Sequence, residues 1–298
     1  MADRRLFCFG LGYSARALAM PLMARGWRIA GTTRQAEAAA ALAAEGVDAH
    51  GFDRDRPLAD PSAALAGTTH LLLGVPPDDA GDPVLDAHGA HIAACRTIVW
   101  AGYLSTTGVY GDRGGGTVDE DSALRPTGPR GHRRVAAEAG WRALYETHGL
   151  PLHIFRLAGI YGPGRNSLAA ARAGTARRVD KPGQVFSRVH VEDIARVLMA
   201  SMERPNPGAV YNVCDDAPAP PAEVIAFACS LVGIEPPPLV PFAKAELTPM
   251  AHSFYRDNKR VSNRRVKEEL GVTLAYPDYK TGLRALLVEE GNSGSRSV

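Results

Sequence analysis

The sequence predicts an α/β fold, a parallel sheet covered by helices on both faces, and three observations carry that reading. Short apolar runs alternate with helix-like stretches through the first half of the chain. The runs are apolar along their whole length, as strands buried on both sides must be. A glycine-bearing loop joins the first run to the first helix, and strand–helix alternation of this kind gives a doubly wound sheet.

In chain order, residues 6–10 read as a buried strand and 15–25 as an alanine- and leucine-rich helix closed by Gly26. Residues 27–32 form a second strand, and 35–45 an alanine-rich helix closed by Gly46. Strands follow at 47–52 and 70–75, then a helix at 85–96, a strand at 98–105, a helix at 133–148 closed by Gly149, and a strand at 152–157. After residue 163 the pattern loosens into Pro-rich joints (Pro218, Pro220, Pro221; Pro236 to Pro238), with helices predicted at 221–232 and 262–270. The expected organisation is a core of residues 1–163 that also receives 187–214, a smaller lobe of 164–186 and 215–290, and a flexible tail at 291–298. Such a lobe packs over the carboxyl ends of the strands, where ligands bind in open α/β sheets.

Composition narrows the function classes. The 298 residues are 45% hydrophobic and 22% charged, ordinary for a globular protein, and the net charge of +2 gives no global signal for nucleic acid. Local basic clusters such as Arg130, His132, Arg133 and Arg134 read first as solvated faces. The four cysteines (Cys8, Cys95, Cys214, Cys229) are far apart, with no C-x-x-C pair and no histidine at metal-ligand spacing. No metal site or disulfide framework is therefore expected, and a reducing cytoplasm fits. No signal peptide and no membrane span is expected either.

The loop Gly10-Leu11-Gly12-Tyr13-Ser14-Ala15 is a G-x-G-x-x-A turn between the first strand and the first helix. Gly10 permits the tight turn, Gly12 lets the backbone approach a pyrophosphate, and Ala15 allows close helix–strand packing. The helix N-terminus adds free N–H groups and a positive dipole end. A bare G-x-G-x-x-A is weak, but in this strand–loop–helix setting it predicts a Rossmann-type dinucleotide site. Cofactor choice is read roughly 20 residues further on, where an NAD site carries Asp or Glu. Here Thr32-Thr33-Arg34 stands instead, so Arg34, supported by Thr33, is expected to pair with the 2′-phosphate of NADP, with NAD the alternative. Asp53, after the third strand, is a candidate acceptor for the adenine amino group.

Several further segments carry a family resemblance. Leu104-Ser105-Thr106-Thr107-Gly108-Val109-Tyr110-Gly111 fits the pattern S-[ST]-x-x-V-Y-G. Arg156-Leu157-Ala158-Gly159-Ile160-Tyr161-Gly162-Pro163-Gly164-Arg165 fits R-x-x-x-[IV]-Y-G-P-G, and His190-Val191-Glu192-Asp193-Ile194-Ala195 fits H-V-x-D-[IV]-A. Tyr211-Asn212-Val213 and the stretch 259–271 (KRVSNRRVKEELG) follow in order. Together these resemble the extended short-chain dehydrogenases/reductases, the NAD-dependent epimerase/dehydratase family. The resemblance implies a Rossmann core with a C-terminal substrate lobe, and dimerisation through the helices at 85–96 and 133–148. It also implies Y-x-x-x-K on one face of a helix, and there this chain departs. Anchored on Glu138, the lysine position falls on Arg134 and the tyrosine position on Arg130. An arginine stays protonated, its pKa above about 12, and is a poor acid/base. The chain thus resembles an atypical branch, in which Arg134 is left to hold the nicotinamide ribose.

The remaining chemistry candidates are fewer. Thr106 and Thr107 stand where the resemblance places a substrate-orienting hydroxyl. Arg165 and Arg188 flank the expected cleft as anchors for an anionic group such as a phosphate. His132 reads as exposed, His190 as a support at the lobe junction, and Asp119, Glu120 and Asp121 as a solvated acidic loop. Tyr110 and Tyr161 read as strand-end packing, with a phenol near the nicotinamide as the sharper alternative. Two functions compete: an NAD(P)-dependent epimerase, dehydratase or reductase acting on a small or sugar-like substrate, and a non-catalytic dinucleotide sensor.

Overall fold

The computed structural model describes residues 4–294. Its main sheet has seven strands: β1 (Arg5–Phe9), β2 (Arg28–Thr33), β3 (Asp48–Gly51), β4 (His70–Leu73), β5 (Trp100–Thr106), β6 (Leu152–Leu157) and β7 (Val210–Val213). They lie in the order β3-β2-β1-β4-β5-β6-β7, and every pairing is parallel. The strand order reverses between β1 and β4, which opens a crevice at their carboxyl ends.

The helices are α1 (Tyr13–Ala24), α2 (Ala36–Ala44), α3 (Pro61–Leu65), α4 (Pro83–Ala94), α5 (Pro129–His148), α6 (Ser167–Arg172), α7 (Val191–Glu203), α8 (Pro221–Leu231), α9 (Pro249–Phe254), α10 (Arg264–Leu270) and α11 (Tyr279–Gly294). The period-2 geometry of β1 shows why the sheet needs two helical layers. Leu6 and Cys8 point into a cluster with Leu18 and Leu22 of α1, Leu42 of α2, Ile194 and Leu198 of α7, and Leu270 of α10. Phe7 and Phe9 point the other way, onto Leu65 of α3, Val84 and Ile92 of α4, and Trp141 of α5. A polar residue anywhere from Leu6 to Phe9 would therefore sit in apolar surroundings on either face. Asp82 caps α4 by accepting from the N–H groups of Val84 (3.0 Å) and Leu85 (3.1 Å), and its other oxygen accepts from Trp141 Nε1 of α5 at 3.0 Å. One carboxylate thus starts one helix and ties it to the next.

The lobe has its own small core, where Leu168 of α6 and Val224 and Ala228 of α8 meet Tyr279, Leu283 and Leu286 of α11. The lobe expected at 215–290 is smaller than its sequence range. Val261, Val266, Leu270, Val272 and Leu274 join the cluster beneath α1 and α7, so this stretch packs on the sheet domain. The cause is the apolar spacing of α10, whose Val266 and Leu270 lie one turn apart and need a buried face. The tail also differs from expectation, because α11 continues through Gly294 and residues 291–294 are helical. The remainder of that predicted tail, 295–298, lies outside the described residues. The helix expected at 85–96 runs Pro83–Ala94, and the one expected at 133–148 begins at Pro129. In both, a proline with fixed φ opens the first turn.

A buried charge network holds the carboxyl ends of β5 and β6 to α5. Glu138 and Arg156 are each 3% exposed and form an ion pair at 2.7 Å (Glu138 Oε2, Arg156 Nη2). Arg156 Nε also donates to Glu138 Oε1 at 3.1 Å, and Ser105 donates to the same oxygen at 2.5 Å. Arg156 Nη1 donates to the Tyr110 hydroxyl at 2.9 Å, which donates to Asn212 Oδ1 at 2.7 Å. Glu120 accepts from the Asn212 N–H at 2.7 Å, so it is no solvated loop residue; its side chain is 3% exposed. Removing one partner strands the other charge in low dielectric, which costs about 3–5 kcal/mol. Arg156→Met should lower the unfolding free energy, measured by urea titration, by that much, and the double variant Glu138→Leu/Arg156→Met should recover most of the loss. An additive double variant would show that the two side chains do not act as a pair.

Candidate functional site

A cleft of about 750 Å³ opens between the carboxyl ends of the strands and the lobe. Its floor is the loop after β1. Gly10 has φ +80°, and a Cβ there would meet Val75 Cγ2 at 3.1 Å, so both conformation and packing require glycine. Its N–H donates to Thr32 Oγ1 at 2.8 Å, which makes Thr32 a loop-positioning residue that sequence reasoning passed over. Gly12 is different. A Cβ there would meet nothing within 4 Å, so the protein's own packing does not demand glycine. What lies over Gly12 is the cleft. Gly12 is also the N-cap of α1 and supplies no capping side chain, leaving the first-turn N–H groups facing outward. An open cradle of backbone N–H groups at a helix start suits a diphosphate. Leu11 and Ala15 are buried beneath it, while Tyr13 and Ser14 are half-buried at the surface of the turn.

At one end of this cradle lie the residues expected to read the adenosine half. Thr33 ends β2 and is half-buried, and Arg34 is exposed beside it. Arg56, which no motif singles out, reaches back to donate to the Arg34 carbonyl at 2.6 Å. Gly51 leaves it room: a Cβ at that position would stand 3.6 Å from the Arg56 guanidinium carbon. Two guanidinium-bearing residues therefore meet after β2 and β3. Asp53 is occupied: Oδ1 accepts from the Asp55 N–H at 3.0 Å and Oδ2 pairs with Arg56 at 3.2 Å.

At the other end stand β5 and α5. Thr106 Oγ1 accepts from the Gly108 N–H at 3.1 Å, which leaves its own O–H to donate into the cleft; Thr107 follows in the same 3-10 turn. Arg134 donates to the Tyr103 hydroxyl at 3.0 Å and to the Leu104 carbonyl at 2.7 Å, which fixes its guanidinium at the cleft wall. Arg130 lies 5.6 Å over the ring of Phe254 in α9. The Tyr110 hydroxyl is inside the charge network, and the Tyr161 hydroxyl turns toward α11, where a Cβ on Gly282 would stand 2.1 Å from it. Neither phenol therefore points into the cleft, and strand-end packing is their role. His132 is exposed and contacts the Gly128 carbonyl at 3.0 Å. His190 caps α7, accepting from the Glu192 N–H at 3.3 Å, and packs between Tyr161 and Tyr276. Burial lowers its pKa and keeps it a neutral acceptor.

The lobe wall carries the second charged feature. Arg188 Nη1 donates to the carbonyls of Phe186 (2.8 Å) and Ala219 (3.1 Å), and no carboxylate lies within 4.0 Å of its nitrogens among the described residues. Burial lowers the pKa of this guanidinium, and nearby Asp215 acts the opposite way. Asp215 is 2% exposed, and burial raises its carboxyl to about 7. Arg165 is exposed on the opposite rim, 5.9 Å over the Tyr13 ring, and the Tyr13 hydroxyl donates to the Pro163 carbonyl at 3.0 Å. Lys259 also lines the cleft, held by the Gly111 carbonyl (2.9 Å) and Asp257 (3.3 Å), and burial lowers its pKa. Among the described residues no group of three or more His, Cys, Asp or Glu is placed to hold a metal ion. No described helix is long and apolar enough to cross a membrane.

Comparison with known proteins adds four findings. A family profile described as "NAD dependent epimerase/dehydratase family" matches residues 90–214. Protein YeeZ of Escherichia coli (strain K12) is 29% identical over 294 residues, covering 92% of this chain and 97% of that protein. A solved structure described as a functionally unknown conserved protein from Silicibacter pomeroyi DSS is 54% identical, with a TM-score of 0.89 over 96% of this chain and 99% of that one. The UDP-glucuronic acid 4-epimerase of Bacillus cereus, solved in complex with NAD, shares the fold at a TM-score of 0.74 and 15% identity, over 94% of this chain and 96% of that one.

The buried Asp215 sets a pH dependence. Its folded pKa is raised above the unfolded value of about 3.9, so the native state holds a proton that the unfolded state has released. Stability should fall as pH rises from about 4 to about 7, by about 4 kcal/mol at most from this group, and then level. Urea denaturation at pH 5 and pH 7.5 should show a steeper loss for the unaltered protein than for Asp215→Asn; equal slopes would mean that Asp215 titrates normally.

Proposed function

We propose that the chain, whose residues 90–214 match the NAD-dependent epimerase/dehydratase profile, is an NADP(H)-dependent enzyme of the reductase or epimerase type, acting on a small anionic molecule. The observation that carries this reading is the open cradle at Gly12. It is a helix start without a capping side chain, set at the sheet's reversal point and facing the cleft. The fit is positive, because the cradle offers backbone donors and room where a diphosphate needs them.

In this reading the N–H groups of the first turn of α1 hold the diphosphate over Gly10, Gly12 and Ala15. Arg34 takes a 2′-phosphate with charge-assisted hydrogen bonds, Thr33 lies beside it, and Arg56, docked on the Arg34 carbonyl, supplies the second positive charge. Asp53 orients Arg56 by their ion pair rather than reading the adenine. Arg134, braced by Tyr103 and Leu104, stands where the nicotinamide ribose is expected. When bound, the nicotinamide supplies hydride chemistry. Thr106 donates its free O–H to a substrate oxygen, and Thr107 lies next to it. Arg188, with Arg165 on the far rim, binds the substrate's negative charge. The apolar groove between α4 and α5, lined by Leu85, Ala90, Ala93 and Leu144, supports a homodimer through those two helices.

A second reading has its own support. Arg130 and Arg134 are both engaged by neighbours, Phe254 and the end of β5, as structural arginines would be. A dinucleotide sensor without turnover would need no more than the cradle. Cofactor oxidation measured against a substrate panel, with products assayed directly, separates the two readings.

Gly12→Asp places a carboxylate over the cradle and should abolish NADPH binding in calorimetry while the far-ultraviolet circular dichroism stays unchanged; retained binding would remove the assignment. Arg34→Ala and Arg56→Ala should each weaken NADPH by about 1.5–3 kcal/mol, the range of a charge-assisted bond, and change NADH little. Equal losses for both cofactors would contradict the 2′-phosphate role.

A further inference from the structure

The lobe half of the cleft combines one unneutralised positive charge with walls poor in hydrogen-bonding side chains. Arg188 has Nη1 engaged by two carbonyls, while Nε and Nη2 have no hydrogen-bond partner among the described residues and are not sealed from the cleft. Tyr255, 7% exposed, stands on the same wall, and its ring is held by Phe186 and Phe242 at 5.3 Å each. Its hydroxyl makes no hydrogen bond among the described residues, whereas its backbone carbonyl is held by Lys181. Guanidinium and phenol are both donors, and a planar fork beside an O–H matches an oxyanion.

The rest of that wall is a poor match for a polyol. A sugar ring presents several hydroxyls, each of which needs a partner when it leaves water. Among the described residues no Asn, Gln or His lines the cleft. Of the serines on the lobe wall, Ser253 donates to the Met250 carbonyl at 2.7 Å, and Ser187, 9% exposed, accepts from the Val261 N–H at 3.2 Å and keeps only its own O–H to donate. Asp257 is taken by Thr127 and Lys259, and Lys259 by Asp257 and the Gly111 carbonyl. What remains open is apolar and aromatic: Val185, Phe186, Phe254, Tyr255 and Val261.

We infer that the substrate is a small aryl or comparably flat, apolar oxyanion rather than a sugar, with its carboxylate or phosphate on Arg188 and Tyr255 and its body against Phe186, Phe254 and Val261. This rests on the proposed reading of the cleft as a substrate site beside a bound dinucleotide. The two oxyanion types share their chemistry at Arg188, and the test separates them.

The experiment is calorimetric titration of NADPH-saturated protein with benzoate, trans-cinnamate, phenyl phosphate and UDP-glucose. At least one aryl oxyanion should bind ten times more tightly than UDP-glucose, and the comparison of carboxylate with phosphate names the anionic group. Arg188→Met should weaken that ligand by about ten- to a hundredfold, the factor a lost charge-assisted bond represents, and Tyr255→Phe by a smaller factor. NADPH affinity serves as the fold check for each variant, and Arg188→Lys, which keeps the charge and loses the fork, replaces a variant that fails it. Tighter binding of UDP-glucose, no binding of any aryl oxyanion beside intact NADPH binding, or unchanged affinity in the Arg188 variants would each overturn the inference and leave the cofactor reading standing. Absence of NADPH binding in the unaltered protein would overturn the cofactor reading and the inference with it.

Discussion

The Glu138–Arg156 ion pair is the constraint from which the geometry of the cleft follows. It joins a helix to the carboxyl end of a strand, and through Ser105 and Tyr110 it reaches both sides of the 3-10 turn that carries Thr106 and Thr107. Both charges are buried, so neither tolerates loss of the other, and with them sit Asn212 and Glu120. α5 therefore has one seating on the sheet, and the positions of Arg130 and Arg134 at the cleft are set by that seating. A purely apolar contact would hold the helix as firmly but would specify its rotation less sharply.

Positive charge is distributed along and beside the cleft in three places, each with a different degree of neutralisation. Arg34 and Arg56 lie exposed beyond the carboxyl ends of β2 and β3, outside the cleft lining, and Asp53 offsets only part of their charge. Arg134 is braced by neutral oxygens in the middle. Arg188 is enclosed at the lobe, beside an Asp215 carboxyl that burial holds neutral up to about pH 7. Among these arginines, Arg188 is enclosed and has no carboxylate within 4.0 Å among the described residues. Desolvated guanidinium groups without carboxylates are unfavourable unless an anion completes them, which is the physical reason to read the cleft as a place for phosphate- or carboxylate-bearing molecules.

Much of the sheet domain was legible because its signals are local. β1 is apolar from Leu6 through Phe9, Gly10 and Gly12 bracket the turn, and Gly26, Gly46 and Gly149 each stand just beyond a helix end. The order β3-β2-β1-β4-β5-β6-β7 follows from the alternation and from right-handed crossovers. The lobe was less legible. The ladders Arg178–Asp180 with Leu239–Pro241, and Gly159–Tyr161 with Arg188–His190, are three residues long and carry no periodicity that reads from sequence. Among the residues proposed for the site, Arg34 is read from its position after β2. Arg56 is not, because its role depends on a return across β3 that only the pairing of β2 with β3 makes visible. Glu120 was read with its acidic neighbours as solvated, yet it alone turns inward to Asn212. Tyr255 lies in an irregular segment, and its place beside Arg188 arises from tertiary packing.

The claim that everything functional leans on is that the start of α1 holds a dinucleotide and that the adenosine end prefers an extra phosphate. Titration of the unaltered protein with NADPH and with NADH, at one ionic strength and followed by calorimetry, tests it most directly. The account predicts saturable one-to-one binding of both, with NADPH at least about tenfold tighter, the ratio that one charge-assisted phosphate contact represents. Binding of neither coenzyme, or tighter binding of NADH, would contradict it.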